Sequence, residues 1–436
     1  MNSSLRIART ATELKSFLQD TIDRSNFKLS RVKLSDQQEW NLVHGVLGHR
    51  TGGFFYITGL IHNISDREQL VLYQPQSAFN GLVVHKQENN VYVLLQARIE
   101  PGNSGIGQYG PTIQSTPANY LRFHGGKETP YFDFFFKYNP QVRPIANSTQ
   151  LDLGKRYFQK SKVLSYVESI SLVETAENMI WVPLEIISQV LNYDNFFNTD
   201  LRSMISVFDW DLFFSRNPEL SSCTKGFSDY QCLNNLSSKN MGKLVPISEL
   251  QNWELTDEGV IDKGNSGVSV NIYKVACTNR EVKTWVQPLL CAANRGLITL
   301  LMRQVNNESE FLLSYQSEFG ISGEKVLLPS YITYPGENHQ NKTTSYQEGK
   351  VLAEVIQSEE GGRFYLNENI YQVILVDPDF ECDKSQFWVD ADALKGLLKT
   401  SNLVSIQLRC ITSLILTILN PEILGDIAVQ SEILTY

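Results

Sequence analysis

The sequence predicts an α+β protein made of two tandem, related domains, each a mixed or mostly antiparallel sheet with helices packed on it. Three observations predict this class. Blocks of similar sequence recur in the same order, strand-like runs precede helix-like periodicity in each copy, and the composition is that of a folded protein. The chain has 436 residues, 42% hydrophobic and 19% charged, with no low-complexity tract. It is long enough for two domains with separate cores.

The repeat is defined by blocks whose internal spacing is preserved. VLLQARIEPG (93–102) aligns with FLLSYQSEFG (311–320), and a proline followed by a hydroxyl residue lies nine positions after each glycine. GKRYF (154–158) aligns with GGRFY (361–365), and in both copies a Trp follows the Arg by 25 residues and a second Arg follows that Trp by 21. Two copies of one domain explain these coincidences better than chance.

An earlier block extends the repeat and sets the domain boundaries. Trp40 precedes Gln74-Pro75 by 34 residues, and Trp253 precedes Gln287-Pro288 by the same 34. Turn-forming residues cluster in a Ser/Asn/Lys-rich stretch between the copies. We therefore predict a first domain over 1–215, a linker over 216–243 and a second domain over 244–436.

Within each copy, the pattern predicts strands followed by a helix. β-branched and aromatic runs over 53–62 and 83–100 indicate strands, with a hairpin tip at residues 88–90. Apolar residues at helical spacing indicate helices over 184–192 and 393–400. The apolar stretch 403–419 contains Arg409 near its middle, so it is predicted to be a buried helix rather than a membrane span.

Charge and processing signals exclude several classes of protein. The formal net charge of −9 disfavours nucleic acid and anionic membranes as partners. The first 20 residues lack the apolar core of a secretion signal, so a cytoplasmic protein is expected. The six cysteines form no C-x-x-C pair and are interpreted as buried thiols with no metal or catalytic role.

Polar residues are densest over 96–126, QARIEPGNSGIGQYGPTIQSTPANYLRFHGG. Gln96, Arg98 and Glu100 alternate, so they are predicted to face one side of a strand, and a glycine-rich loop follows them. A solvated hairpin with a Gly-rich connection is an equally good interpretation from these residues alone. A second dense segment, QSEEGGRFY (357–365), could hold a diphosphate and supply an acid or base, or could be an exposed turn.

Taken together, these motifs resemble the NDP-hexose 2,3-dehydratase family. The resemblance rests on EPGN (100–103), PTIQST (111–116) with the polar residues that follow, the two Gln-Pro pairs, QSEEGGRFY and the late LRCITSLI, and it covers nearly the whole chain. It implies a cofactor-independent elimination of water from a dTDP-4-keto-6-deoxyglucose-type substrate, without a metal. It further implies a homodimer, Nudix-like halves, and a downstream NADPH-dependent 3-ketoreductase.

The candidate residues follow from the polar segments and the resemblance. Carboxylates and imidazole can have their pKa values moved toward neutrality by their surroundings, and arginine binds phosphate with two parallel hydrogen bonds. The catalytic candidates are Glu100, His124, Glu359 and Glu360, with Tyr120 as a donor to a sugar oxygen. The substrate-binding candidates are Gln96, Arg98, Asn103, Thr112, Gln114, Ser115, Asn119, Arg122, Gln357, Ser358, Arg363, Tyr365 and Arg409. Arg409 could instead anchor a helix in the core, and His124 could cap a turn.

This sequence departs from the family pattern in a complementary way, because each copy has lost one half of the signature. The first copy keeps EPGN and PTIQST but has LDLGKRYF in place of SEEGGRFY. The second copy keeps SEEGGRFY but has SEFG and PSYIT in place of the first half. Two hypotheses therefore stand: an active dehydratase whose site is assembled from loops of both copies or across a dimer interface, or a nucleotide-sugar-binding homologue without turnover.

Overall fold

The computed structural model describes residues 5–63, 67–88, 90–122, 125, 128–210, 242–280, 282–321, 325–337 and 349–419. The strands of the first half are β1 (Lys28–Arg31), β2 (Trp40–Val43), β3 (Val46–His49), β4 (Tyr56–His62), β5 (Glu68–Tyr73), β6 (Ala78–Gln87), β7 (Asn90–Ile99), β8 (Gly107–Gly110), β9 (Ile113–Ser115), β10 (Val142–Leu151), β11 (Tyr157–Phe158), β12 (Ser161–Ser169) and β13 (Met179–Pro183). Its helices are α1 (Ala11–Arg24), α2 (Pro117–Tyr120), α3 (Asp133–Phe136), α4 (Leu184–Val190) and α5 (Thr199–Val207).

The described part of the second half repeats this order. Its strands are β14 (Gly242–Val245), β15 (Trp253–Thr256), β16 (Gly259–Asp262), β17 (Val268–Ala276), β18 (Thr284–Ala292), β19 (Gly296–Val305), β20 (Glu308–Ser317), β21 (Lys325–Pro329), β22 (Tyr331–Thr333), β23 (Lys350–Ser358), β24 (Phe364–Tyr365), β25 (Glu368–Leu375) and β26 (Gln386–Asp390). Its helices are α6 (Ala391–Lys399) and α7 (Ile406–Leu419), and short 3₁₀ turns occur at Leu34–Asp36 and Ile247–Glu249.

The sheet topology confirms the duplication. The first half contains the sheets β11-β5-β4-β3-β2 and β10-β12-β6-β7-β13, with β8 paired to β7 and β9 to β6. The second half contains β24-β18-β17-β16-β15 and β23-β25-β19-β20-β26, with β21 paired to β20 and β22 to β19. Most pairs are antiparallel, as predicted. In each half, two of the pairs are parallel, and these join segments far apart in sequence.

Strand register corrects one predicted equivalence between the copies. Leu72 pairs with Ile57 in the first half, and Leu290 pairs with Val270 at the same place in the second. This register makes Gln69, not Gln74, the counterpart of Gln287. The hydrogen bonds agree, because the Gln69 side chain donates to the Lys155 carbonyl and the Gln287 side chain donates to the Gly362 carbonyl. The shared 34-residue spacing of the Gln-Pro pairs is therefore a coincidence.

The two halves exchange a strand. β1 lies in the first half of the sequence but pairs with β17 of the second, and β14 lies in the second half but pairs with β4 of the first. The β2–β3 turn lies against this junction, since a Cβ on Gly45 would come within 2.5 Å of the Pro246 Cβ and Gly45 has φ +78°. The halves are thus interlocked along the edges of their sheets.

A shared core and two buried helices complete the contact. One hydrophobic cluster joins residues of both halves, including Leu72, Tyr157, Leu290 and Phe364. Helices α5 and α7 pack against each other at the centre. The predicted helices near 184–192, 393–400 and 403–419 are confirmed as α4, α6 and α7. Each buried leucine or isoleucine of α7 contributes about 1.5–3 kcal/mol relative to an exposed side chain.

Two other expectations meet the structure here. Among the described residues, no helix is both long and apolar enough to cross a bilayer. The cysteines are not all buried, since the Cys382 side chain is exposed, whereas Cys277 and Cys410 are buried. Cys223 and Cys232 lie outside the described residues, as does most of the predicted linker, whose last two positions begin β14.

Candidate active site

The two retained signature halves, one from each copy, pack against each other. The Gly102 amide donates to the Gly361 carbonyl at 2.8 Å, and the Leu366 amide donates back to the Gly102 carbonyl at 2.8 Å. A Cβ on Gly102 would lie 1.6 Å from the Phe364 carbonyl oxygen, so only glycine allows this approach. We call the contact between residues 100–103 and 359–363 the first composite site.

The degenerate halves meet in the equivalent place. The Gly320 amide donates to the Gly154 carbonyl at 2.7 Å, and the Gln159 amide donates to the Gly320 carbonyl at 2.9 Å. We call the contact between residues 318–321 and 152–156 the second composite site. Each site therefore consists of one loop from each copy. The signature segments that the two copies have lost are far apart in the sequence, but both fall in the second site.

Alternation on β7 brings three predicted residues together in the first composite site. The Arg98 guanidinium donates to Glu100 Oε1 at 3.0 Å and to Gln96 Oε1 at 2.8 Å. It also donates to the Gln114 carbonyl at 3.3 Å, while the Gln114 side chain accepts from Asn198 Nδ2 at 2.8 Å. Both Arg98 and Glu100 are buried, so this ion pair is shielded from water.

Glu360 brings a second carboxylate to the same place from the other copy. A Cβ built on Gly362 would lie 3.9 Å from Glu360 Oε1 and 4.0 Å from Glu100 Oε1, so both carboxylates approach the same glycine. Glu360 Oε2 accepts from the Tyr157 hydroxyl at 3.0 Å. Burial opposes ionisation of Glu360, but the charges of Lys162, Lys160 and Arg363 hold its pKa well below the usual range. Glu360 is thus an ionised carboxylate.

Sequence reasoning missed the cations that hold Glu360. Lys162 Nζ lies 3.4 Å from Glu360 Oε2, 2.8 Å from Asp200 Oδ1 and 3.3 Å from Asp152 Oδ2. Lys160 Nζ lies 3.3 Å from Asp152 Oδ2 and 3.2 Å from Gln74 Oε1. The only indication in the sequence was that LNEN (366–369) of the second copy is replaced by QKSK (159–162) in the first. This replacement shows that two lysines are added but not where their side chains point.

Glu359, next in the chain, points elsewhere. Its Oε1 accepts from Asn369 Nδ2 at 3.1 Å, its Oε2 has no hydrogen-bond partner among the described residues, and burial raises its pKa. The neighbouring predicted residues, Gln357 and Ser358, make contacts between different secondary-structure elements. Gln357 Oε1 accepts from Arg202 at 2.8 Å, and the Ser358 hydroxyl donates to Asn195 Oδ1 at 2.8 Å. The side chains of Gln357, Ser358 and Glu359 are therefore not hydrogen-bonded to Glu360.

The remaining candidates of the second copy divide similarly. Arg363 lies 4.3 Å above the Phe55 ring and donates to Gln74 Oε1 at 3.4 Å, at the edge of the first composite site. Tyr365 stacks on Tyr273 with 4.7 Å between ring centroids. Arg409 lies in the core, where it donates to the Ser203 hydroxyl and to the carbonyls of two other residues. Arg409 therefore occupies the helix-anchoring position that was its alternative, and no face of it is open to a ligand.

Several first-copy candidates also lie away from the paired carboxylates. The Thr112 hydroxyl bridges two strands, accepting from the Val83 amide and donating to the Leu94 carbonyl, as Ser330 does in the second copy. Tyr120 packs with Phe132 and Phe136 at 5.3 and 5.7 Å between centroids. Ser115 is buried, Asn119 is partly buried and Arg122 is exposed, whereas His124 lies outside the described residues.

The second composite site keeps the counterpart of Glu100 but lacks those of Arg98, Lys162 and Glu360. Glu318, the counterpart of Glu100, accepts a hydrogen bond from the Tyr334 hydroxyl, and burial raises its pKa to about 7. A cavity of about 320 Å³ opens beside it. The register identifies the counterparts of the first-site residues in the second site. The replacements are Arg98 by Gln316, Asn103 by Ile321, Gln114 by Ile332, Lys160 by Asn367, Lys162 by Asn369, Asp200 by Gln407 and Glu360 by Leu153.

The equipped site is therefore the first one, in which charged and amide groups from both copies surround two facing carboxylates. Such a group of carboxylates, cations and amides can bind a polar sugar and move a proton. Within the described residues, no three His, Cys, Asp or Glu side chains are grouped as a metal site.

Comparison with known proteins agrees with the sequence resemblance. A family model described as NDP-hexose 2,3-dehydratase matches residues 11–208 and 231–415. A dTDP-4-dehydro-6-deoxy-alpha-D-glucopyranose 2,3-dehydratase of Amycolatopsis orientalis is 25% identical over 431 residues, covering 92% of this chain and 89% of that protein. Its namesake in Streptomyces violaceoruber is 24% identical over 416 residues, covering 90% and 94%. A third, from Saccharopolyspora spinosa, is 25% identical over 441 residues, covering 92% and 90%.

Proposed function

The chain belongs to the NDP-hexose 2,3-dehydratase family, and we propose that it removes water across C2 and C3 of a dTDP-linked 4-keto-6-deoxyhexose. The product is the corresponding 3,4-diketo-2,6-dideoxyhexose, an intermediate of deoxysugar biosynthesis. The observation that carries this proposal for this divergent chain is the pairing of the two retained signature halves in the first composite site.

The proposed reaction suits a site with two carboxylates. The C4 ketone makes the C3 proton acidic, so a positioned base can remove it, and the electron pair moves into the C2–C3 bond as the C2 hydroxyl leaves. Protonation of the leaving oxygen gives water, and the resulting enol becomes the C3 ketone. Hydrogen-bond donors near O4 stabilise the negative charge that develops there.

The surroundings of the two carboxylates favour different roles. Because its pKa is held low, Glu360 stays ionised, so it can accept a hydrogen bond from a sugar hydroxyl but is a poor proton donor. Glu100 is then the residue that transfers the proton, with Arg98 orienting its carboxylate. Gln96 and Gln114 line the same strand junction and serve as sugar ligands.

The catalytic and binding roles of the other predicted residues remain part of this proposal, apart from that of Arg409, whose side chain is enclosed in the core. Asn119, Tyr120 and Arg122 follow β9, so the segment that carries them extends from the Gln114 side of the first composite site. The role predicted for His124, which lies outside the described residues, is kept with theirs. Tyr120 would then contact the substrate, while its own ring packs against Phe132 in an aromatic cluster. Nudix-like halves, a homodimer and a downstream 3-ketoreductase also belong to the proposal.

The alternative, a sugar-nucleotide-binding homologue without turnover, is less favoured. Decay would be expected to affect both composite sites, whereas Arg98, Lys162 and Glu360 are kept in the first site and only their counterparts in the second site are uncharged. Family membership and the names of the similar proteins also describe a dehydratase.

A matched pair of variants tests the assignment. The substrate dTDP-4-keto-6-deoxyglucose is incubated with the enzyme, a 3-ketoreductase and NADPH, and the 2-deoxy product is measured. Glu100→Gln should lower kcat by about 100-fold or more, because a general acid–base is lost. Glu318→Gln, the same change in the second composite site, should leave kcat within about twofold of wild type. A loss on Glu318→Gln with activity retained by Glu100→Gln would place the reaction in the other site, and wild-type binding without product would support the alternative.

A further inference from the structure

Asn80 is a buried amide for which the described residues provide no hydrogen bond. It lies in β6 with 0% of its surface exposed, and neither Oδ1 nor Nδ2 has a partner among those residues. Buried amides in proteins are nearly always hydrogen-bonded, because an unpaired one loses its bonds to water and gains none in return. Asn80 therefore needs a partner that the described chain does not supply.

Register places Asn80 beside polar residues that contact the first composite site. Its cross-strand partners are Gln114 on β9 and Leu164 on β12, so these side chains share a face of the sheet. Lys162 lies two residues before Leu164 and shares that face. Gln114 and Lys162 are both held by the start of α5, through Asn198 and Asp200 respectively. Asn80 thus lies on the same face of the sheet as Gln114 and Lys162, the two polar residues that contact the start of α5.

The second copy shows that folding does not require an amide at this position. Tyr371 pairs with Ile298 as Leu164 pairs with Asn80, so Ile298 is the counterpart of Asn80. Ile298 is fully buried in the second copy's core. The same contrast holds at Asn103, whose amide atoms also lack partners in the described chain and whose counterpart is Ile321. At these two positions, the first copy has an unpaired amide and the second copy has an isoleucine.

We propose that Asn80 is a further substrate-binding residue, whose amide hydrogen-bonds oxygen atoms of the sugar ring of the nucleotide-sugar. This inference rests on the proposed function, since it assumes that the first composite site takes a keto-sugar. An amide suits such a ligand because it offers a donor for a ketone or ether oxygen and an acceptor for a hydroxyl. No sequence signal singled out this residue, because AFNGLVV (78–84) matches an ordinary strand.

The test replaces Asn80 by the residue of the other copy. Asn80→Ile should keep or raise the melting temperature, because an unpaired amide is replaced by a side chain that the fold already accepts in the equivalent strand. It should leave the Kd of dTDP unchanged but weaken the binding of dTDP-glucose at least tenfold, as measured by calorimetry. In the dehydratase assay, kcat/KM should fall by a similar factor or more. The control Ile298→Asn should lower the melting temperature while leaving kcat/KM of the folded fraction unchanged.

The outcomes separate this inference from the function itself. A lower melting temperature of Asn80→Ile with unchanged binding of dTDP-glucose would mean that the amide is bonded to buried water and serves structure alone, which overturns the inference. If isoleucine overpacks the site and the variant does not fold, Asn80→Val adds less volume and carries the same expectation. Dehydratase failure of the wild type would remove the proposed reaction, yet the comparison of dTDP with dTDP-glucose would still decide whether Asn80 binds the sugar.

Discussion

At the scale of single residues, the two copies place the same side chain in opposite surroundings. Glu100 is paired with the guanidinium of Arg98, whereas Glu318 at the equivalent position is buried and accepts from the hydroxyl of Tyr334. Burial disfavours the ionised form of Glu318 and raises its pKa. The same side chain therefore has different partners in the two copies.

Glu318 should make stability depend on pH. Its pKa in the folded protein is raised to about 7, so its contribution to stability is complete below its ordinary value of 4.5 and is lost as the pH rises through 7. Glu318→Gln is neutral at every pH. Relative to wild type, this variant should therefore gain about 3 kcal/mol in free energy of unfolding between pH 4.5 and pH 8. Urea titrations at the two pH values check this, and an equal difference at both would contradict it.

Sequence reasoning found the residues whose geometry is local. Gln96, Arg98 and Glu100 alternate along one strand, so their shared face follows from the pleat of a strand. Lys162, Asp200 and Tyr157 were missed because their contacts with each other and with Glu360 depend on how distant strands and helices pair. Arg409 had two interpretations, and only its burial separates them.

At the scale of elements, close backbone contact between loops of different copies defines each composite site. The predicted strands and helices agree with the structure because hydrophobic period and turn residues are local signals. The parallel pairing of β6 with β12 and of β19 with β25 left no such signal, since it joins segments that are far apart in the sequence, such as Ala78 with Lys162 and Gly296 with Asn369. The exchange of β1 and β14 was not predicted either, as each of these strands has only four residues.

The loop contact makes Gly102 sensitive to any side chain. Gly102→Ala would place a Cβ on the Phe364 carbonyl, so we expect at least about 2 kcal/mol of destabilisation and a comparable loss of dehydratase activity. Gly396 in α6 is the matched control, because a Cβ there meets no atom within 4 Å. Gly396→Ala should stabilise the protein by about 0.5–1 kcal/mol. Thermal unfolding of both variants provides the measurement, and equal melting temperatures would refute the close approach.

At the scale of the whole molecule, the halves depend on each other through exchanged strands, a common core and shared sites. β1 completes the sheet of the second half and β14 that of the first. A half expressed alone lacks one edge strand of its own sheet and exposes apolar residues that the other half covers. The two halves therefore fold as partners.

Separate expression tests this dependence. Fragments 1–215 and 216–436 should each be poorly soluble or aggregated when produced alone, because each exposes an unpaired sheet edge. Produced together, they should form a complex with equal numbers of the two fragments and restore dehydratase activity. Size-exclusion chromatography with light scattering measures both results. A stable, monomeric fold of either fragment alone would argue that the strand exchange contributes little.

The crossed arrangement of the loops also governs how such a duplicated gene can change. A first harmful substitution in one composite site relaxes selection on both walls of that site, and those walls are encoded in different copies. Later losses then accumulate in opposite segments of the two copies, while the walls of the surviving site stay under selection. Neither copy can be discarded, because each encodes one wall of the first composite site.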